Sequence, residues 1–175
     1  MLMLAIWCLP TLVDFTVRRG APAVFRRNGL IAAGWWWIGW GVVVGLLGFL
    51  VGHVAAMNIP ASALGSPGVA GGITGLGSMV GVAAAAAGEE IFFRGFLQGW
   101  LDSRWGVRVA LWGQAVAFLL PHLLLVLVDP ALWVLLPVQF LIGLALGVLR
   151  WRSGSVWPAV VAHVLTNVIA GLLYQ

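Results

Sequence analysis

The stretch LIAAGWWWIGWGVVVGLLGFLVG, residues 30–52, contains no charged side chain and decides the class of fold. At about 1.5 Å per residue, a helix of this length crosses the roughly 30 Å hydrocarbon core of a bilayer. A helix on the surface of a soluble domain would need a polar face, and this stretch has none. The stretch therefore predicts a membrane-spanning helix.

The composition of the whole chain indicates the same environment. Of its 175 residues, 62% are hydrophobic and 8% are charged, whereas soluble domains have about 25% charged residues. The mean hydropathy is +1.07. The net charge of +4 comes from arginines in short clusters between apolar runs, which is typical of membrane topology signals. We therefore expect a lipid bilayer around the protein and no nucleic-acid partner.

Five apolar segments predict firm membrane spans, separated by polar or Pro- and Gly-rich stretches. They are residues 30–52, 72–101, 107–128, 131–149 and 156–174. Residues 1–13 are apolar but short, and a partial or interfacial helix fits them as well as a sixth span. Residues 58–69 contain two prolines and predict a loop. We expect an all-α, polytopic transmembrane bundle that forms one domain over residues 1–175.

Arginines mark one side of the predicted bundle. They occur within residues 18–27, 94–108 and 150–152, at alternate ends of the spans, and the other ends have none. Cytoplasmic loops of membrane proteins are enriched in arginine and lysine. The distribution predicts an integral multi-pass protein with its C-terminus outside.

Three glycine pairs are spaced four residues apart within the predicted spans. Such pairs let two membrane helices approach closely. They are Gly41–Gly45, Gly48–Gly52 and Gly143–Gly147.

Six of the polar residues inside the predicted spans are the most informative, since a charge at the bilayer centre costs about 2.5–3.5 kcal/mol on insertion scales. Counting roughly 1.5 Å per residue from the nearest arginine cluster puts several of them at a similar depth, roughly 16–22 Å. We therefore expect them to converge on one pocket and to serve a function. The six are Glu89, Glu90, Arg94, His122, His163 and Asn167.

Local spacing divides these residues. Glu90 and Arg94 are four apart, so they can form an ion pair on one helix face. Glu89 is rotated by about 100° from Glu90 and is freer to face a cavity as a general base. His163 and Asn167 are also four apart and share a face.

Three motifs occur in order on separate predicted spans. Glu89-Glu90-Ile-Phe-Phe-Arg94 matches EExxxR, Phe118 to His122 matches FxxxH, and His163 to Asn167 matches HxxxN. Together they resemble the CAAX-protease and bacteriocin-processing family of intramembrane endopeptidases. The resemblance covers about residues 72–174.

The resemblance implies an endopeptidase that cleaves a membrane-tethered protein or peptide. By its motifs, Glu89 and His122 would activate a water molecule, and Glu90 and Arg94 would shape and polarise the site. His163 and Asn167 would stabilise the tetrahedral oxyanion. The reasoning from spacing agrees on Glu89 as the base and leaves the roles of the two histidines open.

Other chemistries use the same residue types. Glu89, Glu90, His122 and His163 could supply the three ligands of a catalytic zinc ion, with Glu89, His122 and His163 as the preferred set. We favour a metal-free site, because Glu90 is better explained as the partner of Arg94. A b-type cytochrome would use the two histidines as axial ligands, and a proton-coupled transporter would use the acidic and histidine side chains as a relay.

The substrate class follows from the resemblance alone. A prenylated CAAX-type tail, a bacteriocin-like leader and a C-terminal sorting segment are the three candidates. The tryptophan-rich, lysine-free composition favours a bacterial gene and a bacterial cytoplasmic membrane. We therefore favour the processing of a secreted peptide or an anchored protein.

Overall fold

Helices make up the regular structure of this protein. The computed structural model describes residues 2–17, 22–64 and 72–174, and no strand occurs within these ranges. This confirms the all-α fold class. The helices of the described residues are α1 (Leu2–Val17), α2 (Pro22–Arg27), α3 (Trp35–Ala56), α4 (Ala61–Leu64), α5 (Leu76–Glu90), α6 (Gln98–Val128), α7 (Leu135–Ser153) and α8 (Trp157–Leu173). A π-helical segment, Ile91–Leu97, joins α5 to α6, and a 3₁₀ segment, Pro130–Val134, precedes α7.

Three helical runs in the described part of the chain are long and apolar enough to cross a membrane: Trp35–Ala56, Leu76–Val128 and Pro130–Ser153. The second run contains the predicted spans 72–101 and 107–128. Gly106 separates them, with a backbone φ of 79° that glycine adopts without a steric penalty. Two further apolar helices, Ile6–Val17 and Trp157–Leu173, are shorter.

Several boundaries differ from the sequence prediction. The span predicted for residues 30–52 ends at Ala56 and begins only at Trp35, because the backbone at Gly34 is extended. The span predicted for 131–149 continues to Ser153. Within the predicted loop 58–69, the short helix α4 forms, and residues 65–69 lie outside the described residues, as do Arg18 and Arg19. The boundaries differ because an apolar run shows which residues lie within the bilayer and not where the helix begins or ends.

Helices α3 and α8 pack through backbone contact. A Cβ atom at Gly41 would lie 2.5 Å from the Pro158 carbonyl oxygen, and one at Gly45 would lie 2.7 Å from that of Ala162. Only glycine permits this approach. The prediction of close packing at Gly41–Gly45 is confirmed.

The other two glycine pairs behave differently from each other. A Cβ at Gly147 would lie 2.3 Å from Gln114 Nε2, and one at Gly143 would lie 3.3 Å from Phe118 Cδ1, so this pair does bring α7 close to α6. At Gly52 an added Cβ would meet no atom within 4 Å. The prediction is therefore wrong for Gly52, which lines open space instead.

The outer surface of the bundle is apolar. Large side chains on α3, such as Trp35 (82% exposed) and Leu47 (56% exposed), point away from the protein. Exposed apolar area on this scale is unusual for a soluble monomer and fits contact with lipid. The protein is therefore an integral membrane protein.

The N-terminal helices pack against the π-helical segment. The Trp7 ring lies 5.2 Å from the rings of both Phe92 and Phe93, and Thr11 Oγ1 donates a hydrogen bond to the Ile91 carbonyl at 3.4 Å. Asp14 of α1 forms an ion pair with Arg27 of α2. These helices thus hold the segment that carries the candidate site.

Candidate active site

The site begins where α5 becomes π-helical, directly after Glu89 and Glu90. Short π-helical insertions occur frequently at functional sites, because the wider turn changes the direction of the following side chains. Within this segment, Arg94 is completely buried. Its guanidinium lies 4.1 Å from the centre of the Phe118 ring, a cation–π distance.

Four of the predicted residues form one row of hydrogen bonds that links α5, the π-helical segment and α8. Arg94 Nη1 donates to Glu90 Oε1 at 2.6 Å, and His163 Nδ1 contacts the same oxygen at 2.8 Å. Asn167 Nδ2 lies 3.2 Å from His163 Nε2. The predicted pairing of Glu90 with Arg94 is therefore present, and both side chains are fully buried.

The partners of His163 determine which of its nitrogens carries a proton. An ionised carboxylate only accepts hydrogen bonds, so His163 Nδ1 donates to Glu90. In a neutral ring, Nε2 is then the acceptor and receives a hydrogen bond from the Asn167 amide. Both ring nitrogens are thus engaged by protein groups.

Glu89 and His122 stand beside this row. Glu89 is partly buried, has no hydrogen-bond partner among the described residues, and is within electrostatic range of His163 and Arg94. His122 Nδ1 lies 2.8 Å from the Phe118 carbonyl oxygen, which can only accept, so Nδ1 carries the proton. The Nε2 atom of a neutral His122 therefore keeps its lone pair and can accept a proton.

Phe118 occupies the centre of the cluster. Its ring centre lies 4.6 Å from that of His122 and 5.8 Å from that of His163. The aromatic ring therefore packs against both imidazoles. This differs from a site with two axial histidines, in which a haem plane lies between the rings.

Two buried glutamines were missed by the sequence analysis. Gln114 Nε2 donates to the Gly143 carbonyl at 2.9 Å, and Arg94 Nη2 donates to the same oxygen at 3.2 Å. Gln98 Nε2 donates to the Gly147 carbonyl at 2.9 Å. Both glutamines are uncharged polar residues inside apolar spans, and that is the signal in the sequence that could have identified them.

A cavity of about 90 Å³ lies between α3, α7 and α8. His163 and Asn167 line it, whereas Glu89 and His122 do not belong to its lining. The expectation that all six residues face one pocket is therefore met only in part. The cavity is also lined by His53 and Tyr174, whose Nδ1 and hydroxyl oxygen are 2.5 Å apart.

The arrangement does not gather a set of metal ligands. Among the described residues, no three His, Cys, Asp or Glu side chains converge in a way that could hold a metal ion. His163 would have to release Glu90 or Asn167 to present a lone pair to a cation.

The fold and the site together describe a membrane-embedded helical protein with a buried cluster of acid, base and amide groups. A family model described as type II CAAX prenyl endopeptidase Rce1-like matches residues 72–169, which include all six predicted site residues. The match spans more than half of the chain, which therefore belongs to this family of intramembrane endopeptidases. No curated protein and no solved structure matches the chain.

Proposed function

We propose that this protein hydrolyses a peptide bond in a membrane-tethered protein or peptide, with a water molecule activated by Glu89 and His122 and without a metal. One observation carries the division of roles. Glu90 is held by Arg94 and His163, whereas the neighbouring Glu89 has no hydrogen-bond partner among the described residues. A carboxylate without such a partner remains able to accept a proton from water.

The proposed reaction needs only groups of this chain and the substrate. The water oxygen attacks the peptide carbonyl carbon as one water proton passes to Glu89, and His122 Nε2 accepts a hydrogen bond from the same water. The C–N bond then breaks and Glu89 returns the proton to the leaving nitrogen. The products are a carboxylic acid and an amine, and the enzyme is unchanged.

We assign the oxyanion contact to the Asn167 amide. One of its N–H groups faces His163 Nε2, and the second remains for the negatively charged oxygen. The sequence expectation gave the same donor role to His163 as well. With Nδ1 bonded to Glu90, neutral His163 instead orients Asn167, and it donates to the oxyanion only when the ring is protonated.

Glu90 and Arg94 would hold other residues of the site in position. Their ion pair is fully buried, and Arg94 also contacts the Gly143 carbonyl and the Phe118 ring. A buried pair with these additional contacts is fixed in position. It therefore holds His163 through Glu90 and contributes to the electrostatic field around Glu89.

The orientation of the chain is part of the proposal. Arg150 Nη2 donates to the Arg27 carbonyl at 2.9 Å, so the arginine-bearing end of α7 meets the arginine-bearing end of α2. This contact supports placing the arginine clusters on one membrane side, which the positive-inside rule makes cytoplasmic. A reporter fused to the C-terminus should be active only outside the cytoplasm. A C-terminal reporter that is active only in the cytoplasm would show that the orientation is the reverse of the one proposed.

The substrate is best sought in the cell that makes the protein. The membrane-bound and secreted proteins of cells with the wild-type chain should be compared with those of cells carrying Glu89→Ala. We expect membrane-tethered precursors to accumulate in the variant, each still carrying the segment that the wild type removes. As a matched control, Asp102→Asn also removes one negative charge, but from an exposed position, and should leave processing intact. Identical sets of processed proteins with Glu89→Ala and the wild type would contradict the proposal.

A further inference from the structure

An open groove of about 350 Å³ lies on the outer surface of the bundle between α3 and α7. The residues that line it come from both helices: Trp37, Trp40 and Val44 of α3, and Ala145, Val148, Leu149 and Arg152 of α7. None of them lines the cavity that contains His163 and Asn167. The proposed chemistry therefore does not account for this groove.

The groove forms because α3 packs more closely on α8 than on α7. Gly41 and Gly45 bring the α3 backbone against α8. Towards α7, by contrast, Trp37 and Val44 pack through their side chains against the core cluster that contains Leu149. Large side chains hold two helices further apart than glycines do. The groove is thus a consequence of the helix packing.

The two helices run in opposite directions along the groove. Trp37 packs on the cluster that contains Leu149, and further along α3 a Cβ atom at Gly48 would lie 3.6 Å from Ile142 Cδ1. Residue numbers therefore rise on α3 as they fall on α7. Arg152 follows Leu149 and lies at the Trp37 end of the groove, which is the arginine-bearing end of the bundle.

The remainder of the groove is apolar and extends well into one leaflet. From Trp37 to Val44, the helix rises by about 10 Å at 1.5 Å per residue. One leaflet contributes about 15 Å to the hydrocarbon core of a bilayer. Apart from Arg152 and the two indole N–H groups, no lining residue has a polar side-chain atom. An acyl chain suits such walls, because it has no polar group that would need a partner.

Arg152 places a positive charge at the end of the groove. Its side chain is exposed, lies 4.9 Å from the Trp151 ring and forms no ion pair with the described residues. Arg150 differs, because it is buried and donates to a backbone carbonyl of α2. The indole N–H groups of Trp37 and Trp40 also have no acceptor among the described residues. A guanidinium binds phosphate with paired hydrogen bonds, so this end of the groove suits a phosphate group.

We propose that the groove binds one anionic phospholipid from the leaflet on the arginine-bearing side. Its phosphate contacts Arg152, and one of its acyl chains lies between α3 and α7. Basic pockets between membrane helices bind the head groups of anionic lipids. The surface around Arg108 provides a contrast, because that arginine and Trp112 lie on α6 alone, without a second helix to form the other wall.

The lipid would stabilise the helices that carry the candidate active site. Leu149, at the groove, belongs to the same core cluster as Ala162, the residue before His163. An acyl chain in the groove adds apolar contacts to this cluster. A ligand that binds only the folded protein raises its unfolding midpoint. We therefore expect the anionic lipid to stabilise the packing of α3, α7 and α8.

The test measures bound lipid directly. Purified protein in a neutral detergent is mixed with equal amounts of phosphatidylglycerol and phosphatidylcholine, and native mass spectrometry counts the lipids that remain on each chain. Arg152→Gln removes the head-group contact, whereas Ala145→Phe fills the groove at an exposed position and keeps Arg152. Arg108→Gln is the matched control, since it removes an equally exposed positive charge outside the groove.

We expect the wild type and Arg108→Gln to retain one phosphatidylglycerol in preference to phosphatidylcholine. Arg152→Gln should weaken this binding about fivefold, the contribution of one arginine near an anionic membrane surface. Ala145→Phe should lose the bound lipid although its charge is unchanged. In vesicles, a larger fraction of phosphatidylglycerol should raise the unfolding midpoint of the wild type and not that of Ala145→Phe. Equal losses in Arg152→Gln and Arg108→Gln, or none in Ala145→Phe, would overturn the inference.

Other occupants of the groove predict different results. If the lipid anchor of a substrate lay there, Ala145→Phe would raise KM for a lipid-anchored peptide in vesicles of phosphatidylcholine alone. If a second copy of the chain covered the groove, the wild type would be a dimer in those vesicles and Ala145→Phe a monomer. Either result would overturn the inference. The lipid count requires no cleavage, so its outcome is independent of the proposed function.

Discussion

Helix α8 meets α3 and α5 in opposite ways. Towards α3, it makes backbone contact at Gly41 and Gly45, whose nearest neighbours are uncharged backbone atoms of Pro158 and Ala162. Towards α5, it presents His163 to a completely buried glutamate. The first interface resembles ordinary small-residue packing between membrane helices. The second places charged side chains at membrane depth, where burying a charge is costly. A bundle that is already held by close packing can accommodate a polar site, and the two interfaces should respond differently to substitution.

The largest effect that we expect is on activity, from Glu89→Gln. The amide has nearly the same shape as the carboxylate but cannot accept a proton from water, and general-base catalysis contributes about 10²–10⁴-fold. Cleavage of a lipid-anchored peptide by purified protein should fall by that factor, while the unfolding midpoint in detergent stays within the error of the wild type. Turnover at the wild-type rate would show that Glu89 is not the base.

Glu90→Gln should affect stability as well as activity, in contrast to its neighbour. It leaves Arg94 buried without its counter-charge, and breaking a buried pair costs about 3–5 kcal/mol. The double variant Glu90→Gln/Arg94→Met removes both charges and should recover much of the stability without recovering activity. If Glu90→Gln unfolds at the wild-type denaturant concentration, the ion pair does not support this interface.

Asn167→Asp should lower turnover by about 10²–10³-fold, the usual cost of removing one oxyanion donor. The substitution keeps the shape of the side chain but replaces its donors with a negatively charged acceptor. Asn167→Ala should show a similar loss in kcat with little change in KM, because the contact forms in the transition state. A loss confined to KM would place Asn167 in substrate binding instead.

A smaller effect, on stability alone, is expected at the α3–α8 interface. Gly41→Ala would place a Cβ atom 2.5 Å from the Pro158 carbonyl oxygen, and overpacking of this kind costs about 1–3 kcal/mol. Gly39→Ala is the matched control, because its Cβ would meet no atom within 4 Å. It should be neutral or stabilising, since alanine is the better helix former. Equal unfolding midpoints for the two variants would contradict the close contact.

The sequence predicted the helical class and the residues of the polar cluster better than their arrangement. Apolar runs and arginine clusters report bilayer depth, so a helix occurs within each predicted span, whereas the helix ends at Trp35 and Ala56 were not predicted. The spacing of Glu90 and Arg94 was enough to predict their pairing. The sequence did not predict specific contacts between helices that are distant along the chain. No periodicity predicts that the His53 ring meets Tyr174, or that α5 becomes π-helical at Ile91.

The smallest expected effect is that of metal removal, and it decides between two mechanisms. If Glu89 and His122 alone activate the water, prolonged chelation should leave cleavage unchanged, and purified protein should contain well under one zinc ion per chain. Support for the metal-free proposal comes from His163, whose two ring nitrogens face Glu90 and Asn167 rather than open space. A zinc mechanism would require three side chains to hold the ion, and chelation would remove the water nucleophile with it.

The variant His163→Ala separates the two mechanisms further. As an orienting residue, His163 can be removed without any change in metal content, whereas removal of a ligand lowers it. Stoichiometric zinc that is lost in both His122→Ala and His163→Ala, with cleavage restored when zinc is returned to the chelated enzyme, would replace the metal-free mechanism. Glu89 would then be either a ligand or the base for a zinc-bound water.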